Sequence, residues 1–172
     1  MRAAPVPLLL LLLAAAGCQD VPEDLDATHA WAAESHPGTA HLAAAELPDT
    51  PGTDTLLVDV REPTEHAVSH LPGAVRATAV EEVLAALKGD HRRVILYCSV
   101  GKRSCALAER LAAATAERDP PLEIRNLEKG IFGWAVDGRP LVDGEGKPAT
   151  KVHPFDESWG RLLPAGLRAP LD

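Results

Sequence analysis

The sequence predicts an α/β fold: one domain with a central parallel sheet flanked by helices on both faces. Three observations carry this expectation. Leu56–Val60 and Val94–Tyr97 are nearly continuous apolar runs, as expected of strands buried on both faces. Stretches of strand character alternate with helical ones at a spacing suited to parallel crossovers. The 172 residues, 46% of them hydrophobic and without an internal repeat, suffice for one core with short extensions.

In chain order, Gln19 to about Asp26 is polar and acidic and reads as a tether. Asp26–Ser35 fits a short helix carrying Trp31, ended near His36-Pro37-Gly38. Leu42–Leu47 is Ala-rich and reads as helical until Pro48-Asp49-Thr50-Pro51-Gly52 breaks the chain. The strand Leu56–Val60 follows, and Ala74–Arg76 adds a brief one after Pro72-Gly73. Val80–Leu87 fits a helix with Val80, Val83, Leu84 and Leu87 on one face, ended by Gly89-Asp90. After the Val94–Tyr97 strand, a helix begins at Ser104 with Leu107, Ala108, Leu111 and Ala112 on one face, and Pro120-Pro121 stops it. Ile124–Leu127 is the next strand and Ile131–Val136 a short helix. Two of the chain's few aromatic residues, Phe155 and Trp159, lie beyond Pro140 in stretches too apolar to stay solvated. The boundaries are therefore a leader at 1–17, a tether at 18–38, the domain at 39–145, and an extension at 146–172 that packs back on it. Ala169–Asp172 is expected to fray.

The formal net charge of −8 argues against nucleic acid and against an anionic membrane surface as partners. Met1-Arg2 followed by the apolar run Leu8–Ala16 is a targeting segment, too short for a folded span. Ala15-Ala16-Gly17-Cys18 resembles a bacterial lipobox. That resemblance implies cleavage before Cys18 and its lipidation, giving a membrane-anchored lipoprotein on the periplasmic side. The alternative is ordinary cleavage near Ala16 and a soluble secreted protein. Of the three cysteines, Cys98 and Cys105 then remain as thiols, which is no disulfide framework.

The chemistry concentrates at Cys98-Ser99-Val100-Gly101-Lys102-Arg103-Ser104. A thiol sits at the carboxyl end of a buried strand, where open α/β sheets bind ligands. A loop wrapped around the start of a helix directs N–H groups and the positive end of the helix dipole at that thiol. Lys102 and Arg103 add positive charge against the chain's acidic average. All of these favour the thiolate and hence a nucleophile. A buried free cysteine is the commoner fate of an isolated Cys, but this context favours catalysis.

Cys98–Arg103 resembles the six-residue active-site loop of rhodanese sulfurtransferases. Leu57-Val58-Asp59-Val60-Arg61-Glu62-Pro63-Thr64-Glu65 with Ser69-His70-Leu71-Pro72-Gly73-Ala74 is similar to that family's D-V-R-E-P-x-E…G-H-I-P-G-A signature. Asn126–Trp134 with Gly138-Arg139-Pro140 is similar to its closing motif. The three motifs span roughly residues 40 to 145, and one set of them excludes the double-domain architecture. The resemblance implies a rhodanese-like fold and transfer of sulfane sulfur through a Cys98 persulfide. By that resemblance the donor would be a compound such as thiosulfate or a persulfide, and the acceptor a thiol or cyanide. It implies Ser99, Val100, Gly101, Lys102, Arg103 and Ser104 around the substrate, and neither metal nor organic cofactor. Asp59 and Arg61 read either as an ordinary strand-end ion pair or, as the resemblance favours, as support for the loop together with Glu65 and His70, with His70 a turn residue more than a base. The histidines show no metal-ligand spacing.

Three rivals stand beside this reading. A phosphatase of C-x5-R type needs a longer loop ending in a phosphate-binding Arg; here Arg103 gives C-x4-R. A non-enzymatic rhodanese-like module usually lacks the Cys that this chain keeps. A protein-to-protein sulfur relay would turn over weakly with small donors. The best-known thiosulfate enzymes carry cations where Ser99 and Val100 stand, and an Arg where Glu65 stands. Less positive charge at the mouth predicts poor affinity for the thiosulfate dianion. Cys105 is expected to be a half-buried packing residue, with a resolving thiol for the persulfide as the minority view. Trp134 is expected in the core.

Overall fold

The computed structural model describes residues 21–171. The leader and Cys18 expectations lie outside the described residues. In chain order the elements are α1 (Leu25–Ser35), β1 (His41–Leu42), β2 (Thr55–Asp59), α2 (Pro63–Val68), β3 (Val75–Arg76), α3 (Val80–Ala86), β4 (Arg93–Tyr97), α4 (Lys102–Ala114), β5 (Glu123–Leu127), α5 (Gly130–Val136), β6 (Leu141–Val142), β7 (Pro148–Ala149) and α6 (Glu157–Gly160). Five strands form a parallel sheet in the order β1-β5-β4-β2-β3, and β6 and β7 form a separate antiparallel pair.

The apolar runs of β2 and β4 are continuous because both sheet faces are covered. Successive side chains of a strand point to opposite faces. Leu56, Val58, Val94 and Leu96 pack with Val83 of α3 and with Leu107, Ala108 and Leu111 of α4. Leu57, Ile95 and Tyr97 enter the opposite cluster with Ile131, Phe132 and Trp134 of α5. Trp134 is 1% exposed and its indole N–H donates to Pro140 O at 2.9 Å. The core sits on both sides of β4, the strand that leads into Cys98 and that lies between β2 and β5 in the sheet.

Several expectations are corrected. Leu42–Leu47 is not a helix: His41–Leu42 joins β5, and Ala44–Glu46 is a 3-10 turn. Leu42 and Leu47 are both buried, whereas an α-helix would hold them roughly 140° apart. Leu84 and Ala112 are exposed, so the apolar stripes of α3 and α4 are narrower than the periodicity suggests. Helix α4 starts at Lys102, two residues before Ser104, because Gly101 supplies a left-handed N-cap at φ +100°. The unanticipated α2 is set by Pro63 at its start and by the Glu65 carboxylate, which accepts the Glu62 N–H at 3.0 Å. The helix expected at Asp26–Ser35 is present as α1, capped by Asp24 and docked on α4 through His36 Nδ1 and Glu109 Oε2 at 2.9 Å. At the other end Ala169 is tied down, its N–H donating to Val152 O at 2.9 Å.

Candidate active site

Tyr97 ends β4 in the core, and the chain then turns through Cys98, Ser99, Val100 and Gly101 into α4. Two main-chain donors at the start of α5 shape this turn. Ile131 N–H donates to Cys98 O at 2.9 Å and Phe132 N–H to Ser99 O at 3.0 Å. A trans peptide sets its N–H opposite its C=O, so the N–H groups of Ser99 and Val100 are turned away from α5. Gly101 N–H donates to Cys98 Sγ at 3.1 Å. The 13-residue helix α4 adds its own amino-terminal donors and dipole to the same corner.

Gly130 makes this grip possible. Its φ is +54°, and a Cβ there would lie 2.2 Å from Cys98 O and 2.7 Å from Ser99 O. Behind the loop, Ser104 Oγ donates to Asn126 Oδ1 at 2.6 Å and lies 3.1 Å from Gly101 O. Ser104 is fully buried and faces Asn126, away from the cleft; its expected place among the substrate-binding residues is corrected to one of loop support. Asn126 and Gly130 are the residues that sequence reasoning placed in a motif without a task. Their signal was a polar residue inside a strand and a Gly just after it, but the task depends on which loop lies opposite.

Arg103 does not stand free. Its guanidinium binds both oxygens of Glu65 at 2.8 Å, and its Nη2 reaches Ser99 Oγ at 3.0 Å. The Ser99 hydroxyl in turn donates to Glu65 Oε1 at 3.0 Å. Burial pushes the Glu65 carboxyl up, but Arg103 and the Glu62 N–H outweigh it and hold the group below its usual range. Burial acts downward on Arg103, yet Glu65 and Cys98 keep it above its ordinary value. The pair is therefore ionised and close to neutral in sum. Lys102 Nζ sits 4.2 Å from the centre of the Trp31 ring, a cation–π distance.

Asp59, Arg61 and His70 form a second cluster that does not line the cleft. Arg61 is fully buried, chelates Asp59 and donates to Ser69 O at 2.6 Å. Burial pushes Asp59 up, but His66 and Arg61 overcome it and bring the carboxyl to about 2. His70 stacks on His66 with ring centres 3.8 Å apart and pairs through its backbone with Val142 of β6. This knot fixes residues 59–71 and thereby Glu65, the one member of the expected support group that touches the loop. Cys105 is completely buried, deeper than expected, and burial pushes its thiol up to about 12. A thiol held neutral in the core is a poor resolving nucleophile.

Above Cys98 is a cleft of about 120 Å³, open to solvent. Cys98, Ser99, Val100, Lys102 and Arg103 line its floor, and Trp31, Phe155 and Trp159 its walls. The aromatic walls come from α1 and from the 146–171 stretch. A polarised thiol at the base of such a cleft suits nucleophilic group transfer on a small molecule.

Residues 39–137 match the model of the rhodanese-like domain. The chain is 34% identical over 95 residues to a sulfurtransferase of Allochromatium vinosum, covering 54% of this chain and 83% of that protein. It is 33% identical over 93 residues, 53% of this chain, to the HTH-type transcriptional regulator Rv0324 of Mycobacterium tuberculosis, of which it spans only 39%. Among solved structures, a thiosulfate sulfurtransferase from Pseudomonas aeruginosa superposes with a TM-score of 0.56 at 28% identity, covering 70% of this chain and 23% of that one.

Proposed function

The chain belongs to the rhodanese-like domain family, and from that premise we propose that it is a sulfurtransferase with Cys98 as the sulfur carrier. In the first half-reaction the Cys98 thiolate attacks the sulfane sulfur of a donor. The new S–S bond forms as the donor's own bond to that sulfur breaks, and the electron pair leaves with the donor's remainder (sulfite, where the donor is thiosulfate). In the second, a thiolate or cyanide takes the outer sulfur and Cys98 leaves as thiolate. No net oxidation occurs, and charge near sulfur stays negative throughout, which is what fixed N–H donors stabilise.

The observation that carries this reading is Gly101 N–H aimed at Cys98 Sγ from a loop whose carbonyls are drawn off by α5. Phosphate transfer is disfavoured because the Nη1 and Nη2 groups of Arg103, the pair that would grip phosphate, already hold Glu65. The test is intact mass after incubation with thiosulfate or polysulfide. The wild type gains one sulfur atom and Cys98→Ser gains none; a wild type that no donor loads ends the proposal. We also propose that lipid on Cys18 anchors the protein outside the cytoplasm, as the lipobox-like stretch suggests. Labelling with radioactive palmitate that persists in Cys18→Ala would rule this out.

A further inference from the structure

Resting on the sulfurtransferase reading, we infer that the preferred donor is a singly charged organic sulfane-sulfur compound bearing an apolar, preferably aromatic group, and not the inorganic dianion thiosulfate. The first ground is charge. Arg103 is paired with Glu65, and the remaining charges of the cleft lining are the Lys102 ammonium and the reacting Cys98 thiolate. With no net positive charge there, a dianion is repelled more than a singly charged donor.

The second ground is the wall. Trp31 and Trp159 lie with ring centres 6.2 Å apart, and Arg103 sits 5.0 Å from the centre of the Phe155 ring. Together with Val100 they give the cleft an apolar side with room for an organic group beside the reacting sulfur. An inorganic oxyanion would gain nothing from these rings and would lose hydration against them.

The third ground is how Phe155 is held. Its φ is +70°, a left-handed conformation that is unfavourable for a bulky residue. Its N–H donates to His153 Nδ1 at 3.0 Å, and the neighbouring Pro154 is packed so tightly on Gly160 that a Cβ there would come within 2.8 Å. The turn thus presents a ring that remains 44% exposed at the rim of the cleft. Arg103 covers part of this ring, and its remaining exposed surface lies where an apolar group bound beside Cys98 would bury it. Trp31, Phe155 and Trp159 all fall outside residues 39–137, so this wall is an addition to the family domain.

The step with benzenethiosulfonate balances. The bond from Cys98 sulfur to the sulfane sulfur forms, the bond to the sulfonyl sulfur breaks, and its electron pair leaves with benzenesulfinate. The test measures single-turnover loading of Cys98 in the full chain by mass, with benzenethiosulfonate, methanethiosulfonate and thiosulfate. Each rate is divided by that donor's rate with a small thiolate in solution. The expected result is a preference of about tenfold or more for the aryl over the methyl donor, a larger one over thiosulfate, and a fall in the aryl-to-methyl ratio in Phe155→Ser and Trp159→Ala. If all three donors load wild type at equal normalised rates, the aromatic preference is wrong while the sulfurtransferase reading stands. If none loads Cys98, the functional reading fails and this inference with it.

Discussion

On one side of the cleft, the loop Cys98–Ser104 takes its shape from main-chain bonds to α5 and from Gly101 and Gly130. On the other, Trp31, Phe155 and Trp159 take theirs from side-chain packing between α1 and the 146–171 stretch. The loop's geometry depends on backbone groups that every residue carries, so its demands on sequence are few and strict: a Gly where two chains touch, a Cys at the turn. The aromatic wall can be built by any large ring at the right place. We assign chemistry to the first region and choice of substrate to the second; the two meet where Lys102 lies over Trp31 and Arg103 over Phe155.

Gly130→Ala is the harshest way to break the first region alone. The added methyl must displace the Cys98 and Ser99 carbonyls at a left-handed position. The expected cost is on the order of 2–4 kcal/mol of stability and about a hundredfold in the rate of persulfide formation, read by thermal melting and single-turnover mass. Near-normal loading would mean that α5 does not set the loop.

Glu65→Gln sharpens the comparison by altering charge while keeping an acceptor for Arg103. One positive charge is uncovered at the mouth, so the KM for thiosulfate should fall roughly 3–10-fold at low ionic strength and recover with salt. Stability should drop by about 1–2 kcal/mol, because a buried carboxylate is exchanged for a neutral partner. An unchanged KM would remove electrostatics as the reason for disfavouring thiosulfate.

The gentlest probe is acid. Asp59 has a folded value of about 2, below its ordinary value, so it contributes stability that is complete above about pH 4 and is lost as pH falls toward 2. The contribution is about 2–3 kcal/mol at most, and Glu65 acts in the same direction. Chemical denaturation between pH 5 and pH 2 should show this slope in wild type and a shallower one in Asp59→Asn. Identical slopes would mean that the Asp59–Arg61 knot does not favour the charged form.

The buried strands β2 and β4 were legible because an unbroken apolar run has one economical explanation, a sheet covered twice. The thiol corner was legible because strand, Gly and helix start are adjacent in sequence. β1 was not, since two residues carry no periodicity and Ala-rich segments read as helix. α2 was missed because Glu65, whose carboxylate accepts the N–H of the N-cap residue Glu62, was read as a departure from a motif and not as a local bond. Lys102 and Arg103 read as two free cations, and only the fold reveals that Glu65, 38 residues earlier, cancels one. Trp31 was assigned near a tether, and nothing in its neighbours predicts that it would meet Trp159 across the site.

Helix α1 starts at Leu25 and docks on α4 beside the cleft. Six residues separate Cys18 from that start, and the seven Cα-to-Cα steps reach no more than about 25 Å even fully stretched. With an acyl chain on Cys18, the aromatic wall would be leashed within a domain's width of the lipid headgroups. An organic anion with an apolar group collects at the headgroup boundary over bulk water, so a sulfurtransferase anchored in this way would meet such a donor where it is enriched.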